Sequence, residues 1–518
     1  LDAEFVDRVD AGTVMTGAVV DFTAKLDVRG LVWGRDYYYR FSALGRTSMV
    51  GRARCAPTGG EAKALRFAVT SCASLAHGHF HVYRRIAERE DLDAVLHLGD
   101  YLYEYGTGEY GSVREYEPAH EIVTLADYRT RHAQYRRDPD LQALHQQHAL
   151  IPIWDDHESA NDSYEDGAEN HQPGTDGAWS DRKQAAKQAY FEWMPIRDPG
   201  MQRIYRTLRY GNLADIVLLD TRLEGRDVQL GSTGELPGAA DSRSLLGAEQ
   251  EAWLDGELAQ SRARWVILAQ QVMVAQLSFS GGNPFNLDQW DGYPAARERL
   301  LASIRTHANK RTVVLTGDIH TSWVGHLVED PFVEGADPAR DCAAVEFVTT
   351  SVTSPGIAAG NLDDLLPRAH RHRRSVDQVA VPVDLLQHQV CDVRPEVREA
   401  PRDARVVPDE DARQSGHRPS RDGVVARGVG VRAVHGGLVP QARHHRREVR
   451  VVGQQRLAGR RVLPAHHPGV GADARARPAE PGVQQPGGRD DASQRGPRAR
   501  RSRRALHRCR CQGVLVED

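Results

Sequence analysis

The sequence predicts an α/β layered domain over residues 62–356, and three observations favour it. Short runs rich in Val, Ile and Leu, typical of buried strands, alternate with helical patterns along this stretch. Four of those runs end abruptly in residues that bind metal ions, at the strand ends where open α/β sheets bind ligands. The long segments near 105–123, 158–180 and 223–245 are typical of loops that shape a substrate pocket.

The segment before this domain, residues 1–57, is predicted to be a small β-sandwich-like domain. It alternates apolar and polar residues, and the aromatic run 36–41 follows a Gly-Arg turn, as expected of strands joined by turns. The chain begins with Leu1 rather than Met, so we expect the natural start to be missing or processed and this domain to be truncated. The turn-rich residues 57–60 make a plausible linker.

The spacing of apolar residues predicts the elements of the α/β domain. Helical patterns fall at about 80–90, 126–146, 181–194, 247–261 and 294–308. Strand patterns fall at about 65–71, 94–99, 149–154, 214–220, 264–270, 312–317 and 345–352. Strands that alternate with helices in this way favour a layered architecture with parallel strands.

The composition changes sharply after Ile357. Residues 358–518 contain no Phe, Tyr, Trp, Ile, Met, Lys or Thr, and the 10 Phe, 8 Trp and 16 Tyr of the chain all precede this point. Arg, Val, Pro, Gly, Ala, Asp, Gln and His dominate the tail. Without aromatic residues the tail has little with which to fill a core, so disorder is the default expectation.

Two other interpretations of the tail stay open. Arg clusters at 370–374 and 498–504 could bind nucleic acid, although no aromatic residues interleave them for base stacking. Translation in a shifted frame of GC-rich coding sequence would also remove several residue types at one boundary and enrich Arg, Gly, Pro and Ala, and we favour this hypothesis. An intact alternative frame beyond codon 357 that encodes aromatic residues would support it, and the absence of such a frame would exclude it.

Charge and hydropathy exclude several classes of partner. The formal net charge of -4 favours neither nucleic acid nor a membrane surface, and no apolar run reaches the roughly 18 residues of a transmembrane helix. The six cysteines are too few and too scattered for a disulfide framework. We expect a monomer that acts on a small molecule, with no nucleic-acid partner and no transmembrane segment.

Three residues at or just after the ends of the first two apolar runs are candidate metal ligands. Cys72 ends the first run, and Asp100 ends the second, with Tyr103 three residues further on. A thiolate and a phenolate are anionic, polarisable ligands that suit iron or another borderline metal. The two oxygens of Asp100 could bridge two cations. Taken singly, Cys72 could instead be a buried small residue and Tyr103 a core aromatic residue.

The third run ends in the sequence Asp-Asp-His-Glu at 155–158, which places carboxylates beside an imidazole. Asp156 could bind a metal, and His157 could lie near the leaving group, because an imidazole donates a proton near neutral pH. Asn161 could supply a neutral oxygen for a harder ion such as calcium or magnesium. The alternative is an acidic helix N-cap beside a surface histidine.

The fourth run ends in Asp318 and His320, which are two residues apart and in an extended chain point to the same side. Such a pair can bind one ion through an oxygen and a nitrogen. Alternatively, a turn aspartate lies beside a histidine that is satisfied elsewhere. Taken together, the four strand ends predict a multi-metal hydrolase in which Asp100 and His157 are the catalytic candidates.

Several of these segments resemble the alkaline phosphatase D (PhoD) family of metallophosphoesterases. The likeness extends over roughly residues 15–356, and its motifs are specific in combination. The matching segments are 67–72, 96–105, 154–158, 219–222, 270–273, 290–293 and 315–320.

The resemblance implies a four-layer αββα metallophosphoesterase core behind a small β domain, and hydrolysis of phosphate monoesters and diesters. It also implies Fe3+ with Ca2+ as cofactors, and a secreted, periplasmic or cell-surface location reached by export. Cys72, Asp100 and Tyr103 would hold the iron. The residues that would complete the metal cluster, with the ion of each left open, are Asp156, Asn161, Asp318 and His320.

Three other functions stay open. The chain could be a phospholipase D-like phosphodiesterase that acts on a phospholipid. It could be a non-catalytic Arg-rich binding protein, with its α/β part as a scaffold. It could also be inactive, because the tail lacks the aromatic-containing strands with which family members close the domain. Salt-dependent nucleic-acid affinity in residues 358–518 would favour the binding protein.

Overall fold

A computed structural model of the chain describes residues 5, 8–60, 62, 64–197, 200, 202–239, 242–278, 283–308, 311–331, 338–356 and 447–454. The N-terminal strands are β1 (Arg8–Met15), β2 (Asp36–Ala43), β3 (Arg46–Thr47) and β4 (Gly51–Arg54). These strands belong to one sheet, in which β3 and β4 each pair antiparallel with β2. Every second side chain at the start of β2 is buried, so Tyr37, Tyr39 and Phe41 form the core of this segment.

Two further sheets form the α/β region. The first has the order β5-β6-β7, is entirely parallel, and consists of β5 (Phe67–Thr70), β6 (Ala94–Leu98) and β7 (Leu150–Ile153). The strands of the second sheet are β8 (Arg206–Tyr210), β9 (Ala214–Leu218), β10 (Trp265–Ala269), β11 (Thr312–Thr316), β12 (Trp323–Leu327) and β13 (Ala344–Val348). Their order is β12-β13-β11-β10-β9-β8, with the two edge strands antiparallel to their neighbours and the others parallel.

Helices flank both sheets. Those of the first half are α1 (His81–Ala87), α2 (Leu125–Tyr135), α3 (Pro139–Gln147), α4 (Pro173–Asp176) and α5 (Trp179–Trp193). Those of the second half are α6 (Leu236–Ala239), α7 (Gly247–Gln260), α8 (Pro294–His307) and α9 (Pro338–Asp341).

The alternation of side chains in β9 shows how the layers stack. Ile216 and Leu218 belong to the core that also contains the side chains of β5, β6 and β7. Val217 points the other way, into a second core with Leu254 of α7 and Leu300 of α8. Because successive residues of a strand face opposite sides, the larger sheet packs on the smaller sheet with one face and on helices with the other. The predicted αββα arrangement is confirmed.

The predicted helix at 126–146 is wrong in one respect, because the chain forms two helices, α2 and α3. Pro139 cannot donate a backbone hydrogen bond within a helix, so it begins α3. The side chain of Asp138 caps that start by accepting from the N–H groups of Asp140 (2.9 Å) and Leu141 (3.1 Å). The edge strands β8 and β12 were not predicted, because neither has a continuous apolar run.

One element comes from the tail. Strand β14 (Arg447–Gln454) lies between β1 and β2 and pairs parallel with both, an element that the expectation of a disordered tail did not include. The rest of the predicted tail, 358–446 and 455–518, lies outside the described residues. Among the helices that the structure describes, none is both long and apolar enough to cross a membrane.

Candidate metal centre

The candidate site lies where the carboxyl ends of the two sheets meet. Cys72, Asp100 and Asp318 each lie two residues beyond the last residue of β5, β6 and β11. All three have a left-handed backbone, with φ of 59°, 54° and 64°, and so does His320, with φ of 60°. Such angles are uncommon for residues other than glycine and concentrate at functional sites. Because each of these residues lies at the same distance from the end of its strand, the three side chains converge on one region.

The first group of donors comprises Cys72, Asp100 and His320, whose candidate ligand atoms lie within 4.8 Å of one another. Tyr103 joins them, because its hydroxyl donates to Oδ2 of Asp100 at 2.9 Å and lies 3.4 Å from Nε2 of His320. Pro355 accepts a hydrogen bond from Nδ1 of His320 at 2.9 Å through its carbonyl oxygen, which leaves Nε2 as the free lone pair. A backbone carbonyl on the remote ring nitrogen is the usual support of a metal-binding histidine.

The second group comprises Asp100, Asp156 and His157. The carboxylate of Asp156 accepts from its neighbours, the N–H of His157 (3.0 Å) and the N–H of Asp162 (2.7 Å). Nδ1 of His157 lies 2.7 Å from a carboxylate oxygen of Glu104, which is fully buried. Since Nδ1 is engaged there, Nε2 is the nitrogen that can serve the site.

The third group comprises Asp155, Asp156 and Asp318, and a buried arginine lies among them. Arg222 donates to Asp155 and, at 3.0 Å, to Asp318, and its guanidinium is 3.7 Å from Asp156. It also donates to both oxygens of Asp288, at 2.9 and 2.7 Å. This cation balances the negative charge of the carboxylates between the two sheets.

Glu158 ties two of the strand-end loops together. Its carboxylate accepts from the backbone N–H groups of Asp100 (3.0 Å), Tyr101 (2.6 Å) and Asp155 (2.8 Å). Burial raises the pKa of Glu158 to about 7, although the three N–H donors favour its charged form. Glu158 therefore fixes the backbone that carries Asp100.

The electrostatics of the first group favour bound positive charge. Burial raises the pKa of Cys72 and of Asp100 well above their ordinary values, and neighbouring carboxylates add to both shifts. The same causes raise the pKa of Tyr103. Burial lowers the pKa of His320 to about 4, so this imidazole is neutral at pH 7. Buried acidic donors beside a neutral imidazole are a donor set that a cation would stabilise in its deprotonated form.

The second group is already balanced in charge. Burial opposes the charge on His157, but Asp156, Glu104 and Asp100 outweigh it and raise the pKa of the imidazole well above its ordinary value. Burial also opposes ionisation of Asp156, yet Arg222 and His157 outweigh it and hold its pKa below the usual range. These shifts favour a charged imidazolium at His157 beside an ionised Asp156.

One buried carboxylate oxygen without a hydrogen-bond partner tests whether a metal ion fits the site. Oδ1 of Asp100 is buried and has no hydrogen-bond partner. A buried carboxylate oxygen without a partner is costly, and a cation between it and the sulfur of Cys72 would satisfy it. Sulfur, phenol, imidazole and carboxylate donors suit a borderline metal such as iron, so the residues present fit the group that the resemblance implies.

The structure brings most of the predicted site residues together. Cys72, Asp100, Tyr103 and His320 lie in one group, and Asp156, His157 and Asp318 lie beside it. The backbone N–H of Asn161 donates to Glu104 at 2.8 Å, and its side-chain amide donates to Glu169 at 2.7 Å, so this residue lies next to the partner of His157.

Besides Asp155 and Asp288, four residues that support the donors were not predicted. Arg222 lies four residues beyond the end of β9, so its position after a buried strand was the available signal. Glu104 and Glu158 lie next to predicted site residues in the sequence. Nothing in the sequence indicates which groups their carboxylates contact. Ser354, whose hydroxyl lies 2.6 Å from that of Tyr103, gives no signal at all in the sequence.

Comparisons with known proteins identify the family of the chain. A family model described as PhoD-like phosphatase matches residues 67–395, and one described as PhoD-like phosphatase, N-terminal domain, matches residues 1–57. These matched ranges extend beyond residues 15–356, over which the sequence resembles the family. Alkaline phosphatase D of Bacillus subtilis (strain 168) is 40% identical over 380 residues, which cover 70% of this chain and 64% of that protein.

Solved structures are similar as well. A structure of PhoD is 40% identical, covers 60% of this chain and 60% of its own, and superimposes with a TM-score of 0.55. Purple acid phosphatase PPD1 from yellow lupin (Lupinus luteus) seeds is 12% identical, with a TM-score of 0.40, over 60% of this chain and 48% of that chain. The present chain thus spans under two thirds of the length of the curated relative that it matches. The chain belongs to the PhoD-like phosphatase family.

Proposed function

We propose that the chain hydrolyses phosphate esters, both monoesters and diesters, at the centre formed by the strand ends. The observation that carries this proposal is the convergence of Cys72, Asp100 and His320, from β5, β6 and β11, to within 4.8 Å of one another. Membership of the PhoD-like phosphatase family supports it. A buried set of donors with an unsatisfied carboxylate oxygen has a physical reason to exist if it binds cations.

The cofactors that we propose are Fe3+ and Ca2+, as the resemblance implies. Cys72, Asp100 and Tyr103 would hold the iron, and the position of His320 against Cys72 and Tyr103 adds its Nε2 to this set. The residues proposed for calcium are Asp156, Asn161 and Asp318. When bound, such ions lower the pKa of a water molecule to activate it as the nucleophile and neutralise charge on the phosphoryl oxygens.

His157 is the proposed proton donor to the departing alkoxide. Its pKa is raised by Asp156 and Glu104 against the effect of burial, so the imidazolium is present at neutral pH. The ring packs on the phenol ring of Tyr103, with centroids 4.2 Å apart, and its side chain keeps 9% exposure. A charged imidazole that is held on one side and slightly open on the other can deliver a proton to a bound ester.

Other side chains position the donors. Arg222 holds Asp155 and Asp318, and Glu158 holds the backbone on either side of Asp100. Ser354 accepts from or donates to the hydroxyl of Tyr103 at 2.6 Å. These contacts would keep the loops of the two sheets in register before any substrate arrives, which is the usual basis of electrostatic preorganisation.

The substrate in this proposal is a small phosphoester, with a phospholipid as the alternative for a diesterase. We also propose a secreted, periplasmic or cell-surface location, as the resemblance implies. Fractionation of the source cells would test the location, and enzyme confined to the cytoplasm would contradict it.

Metal analysis combined with two substrates tests the proposal. The purified full chain is assayed for bound iron and calcium, and for hydrolysis of p-nitrophenyl phosphate and of bis(p-nitrophenyl) phosphate. We expect both metals, both activities, and loss of activity on chelation that iron with calcium restores. A folded chain that binds neither metal and cleaves neither ester would refute the proposal.

A further inference from the structure

We propose that Glu104 is a positioning residue that holds His157 in the orientation and tautomer needed for proton donation. This inference deepens the proposed function and rests on it. Glu104 lies between Tyr103 and Tyr105 in the segment after β6, and its side chain has no exposure to solvent.

The contacts of the Glu104 carboxylate indicate that it positions His157. It accepts from Nδ1 of His157 (2.7 Å), the backbone N–H of Asn161 (2.8 Å) and the side-chain amide of Asn170 (3.0 Å). A buried carboxylate is costly unless it is hydrogen-bonded on several sides, and these three donors meet that condition. Oε1 accepts from both amide donors, and Oε2 faces Nδ1 of His157, so Glu104 offers the imidazole a hydrogen-bond acceptor.

An acceptor at this position dictates the tautomer of the imidazole. Because an ionised carboxylate has no proton to offer, Nδ1 of His157 must carry one. Nε2 is then the nitrogen that is not engaged by Glu104, on a ring that groups with Asp100 and Asp156. In a catalytic triad, a buried carboxylate orients its histidine in the same way without reacting itself.

The backbone around Glu104 is fixed on three consecutive residues. Arg131, which is buried, donates to the carbonyl oxygen of Tyr103 and, at 3.0 Å, to that of Tyr105. The carbonyl oxygen of Glu104 accepts from the N–H of Ile122 at 2.9 Å. This restrained backbone, together with the amides of Asn161 and Asn170 on the carboxylate, fixes the acceptor that orients the imidazole.

The test compares leaving groups in the metal-loaded full chain. The variants are Glu104→Gln, His157→Asn, the double variant, and Glu109→Gln, which changes an exposed glutamate of the same loop. The substrates are p-nitrophenyl phosphate, whose leaving group needs no proton, and ethyl phosphate, whose leaving group does. We measure kcat and KM for each substrate, and metal content per chain.

We expect Glu104→Gln to lower kcat for ethyl phosphate at least about tenfold and that for p-nitrophenyl phosphate less than about threefold, because general acids contribute about 10²–10⁴ where a proton is needed. KM and metal content should stay within about twofold. The double variant should match His157→Asn, since the two residues would act as one unit. Glu109→Gln should match the wild type.

The outcomes separate this inference from the proposed function. Equal losses on both substrates, a fall in metal content alone, or no effect of Glu104→Gln while His157→Asn is selective would overturn the inference and leave the proposed function intact. His157→Asn without selectivity would instead refute the proton-donor role, and a wild type inactive on both esters would refute the phosphoesterase proposal.

A second measurement does not depend on activity. In 15N-labelled histidine spectra, we expect a downfield Nδ1 proton for His157 in the wild type and its loss in Glu104→Gln, with His157→Asn as the assignment control. The same signal in the Glu104→Gln variant would contradict the inference even if no substrate were turned over.

Discussion

Tyr103 and His320 are 217 positions apart in the chain, yet the hydroxyl oxygen of Tyr103 lies 3.4 Å from Nε2 of His320. Tyr103 follows β6 of the three-stranded sheet, and His320 follows β11 of the six-stranded sheet. Their contact exists only because the two sheets pack with their carboxyl ends at the same edge. The candidate centre therefore depends on the αββα arrangement. Changes that separate the two sheets should abolish metal binding there.

Gly99 is one point at which the approach of the loops can be tested. Its φ is +103°, and a Cβ there would lie 2.3 Å from Cβ of Asp155 and 2.5 Å from its backbone N. We expect Gly99→Ala to push the loops after β6 and β7 apart, to lower the free energy of unfolding by about 3 kcal/mol, and to abolish activity. Urea unfolding and p-nitrophenyl phosphate hydrolysis measure both effects.

Gly174 provides the control, because a Cβ there meets nothing within 4 Å. Gly174→Ala should change the free energy of unfolding by no more than about 0.5 kcal/mol and leave activity intact. If Gly99→Ala and Gly174→Ala had the same stability and activity, the close approach of Gly99 to Asp155 would be contradicted.

Arg222 should carry a large share of the stability of the site. It is fully buried and donates to Asp155, Asp288 and Asp318. Removal of one partner from a buried ion pair costs about 3–5 kcal/mol, because it leaves carboxylates uncompensated. We expect Arg222→Met to lower the free energy of unfolding of the metal-free chain by about that amount, as measured in urea.

The matched control is Arg299→Met. Arg299 pairs with Glu251 at 2.7 Å, but its side chain is 47% exposed. Exposed pairs contribute about 0–1 kcal/mol, so this variant should unfold close to the wild type. An Arg222 variant as stable as the Arg299 variant would show that the buried carboxylates need no cation.

Metal binding should release protons. Burial raises the pKa of the Cys72 thiol and the Tyr103 phenol above ordinary values that already exceed 7, so both hold protons at pH 7, and it raises the pKa of Asp100 in the same direction. Metals bind the deprotonated donors, so affinity should fall as pH falls. Calorimetric titration of the metal-free chain with iron in buffers of different ionisation enthalpy should show at least about one proton released per ion. Heats that do not depend on the buffer would contradict this.

Much of this site follows from local sequence. Continuous apolar runs predicted β5, β6, β7 and β11, because strands that are buried on both faces are hydrophobic along their whole length. Since the carboxyl ends of parallel strands share one edge, the donors that follow each run could be assigned to one place. The antiparallel edge strand β12 could not be found in this way, because it has exposed residues between its buried ends.

The supporting residues could not be predicted, because their roles depend on contacts between distant segments. The position of Arg222 after a buried strand suggests a site residue, but only its contacts with Asp155, Asp288 and Asp318 show its role. Glu104 is similar, because its partners His157 and Asn170 are 53 and 66 residues away. Sequence periodicity carries no information on which buried charges meet.

The tail allows a separate test at the level of DNA. The shifted-frame hypothesis predicts that the coding sequence beyond codon 357 holds an alternative open frame that encodes Phe, Tyr and Trp. The family match ends at residue 395, within this tail. Sequencing the gene across this boundary decides it, and a single open frame with no such alternative would exclude the hypothesis.

Asp100 is the residue on which the account depends most, because it belongs to both the first and the second group of donors. The measurement is bound iron and calcium per chain, together with p-nitrophenyl phosphate hydrolysis, in Asp100→Asn and in Asp181→Asn, which changes an exposed aspartate. Since even outer partners of metal ligands cost about 10–100-fold, Asp100→Asn should lose metal and at least about 100-fold in activity together, while Asp181→Asn keeps both. An Asp100→Asn chain that retained its metal ions and its activity would contradict the account.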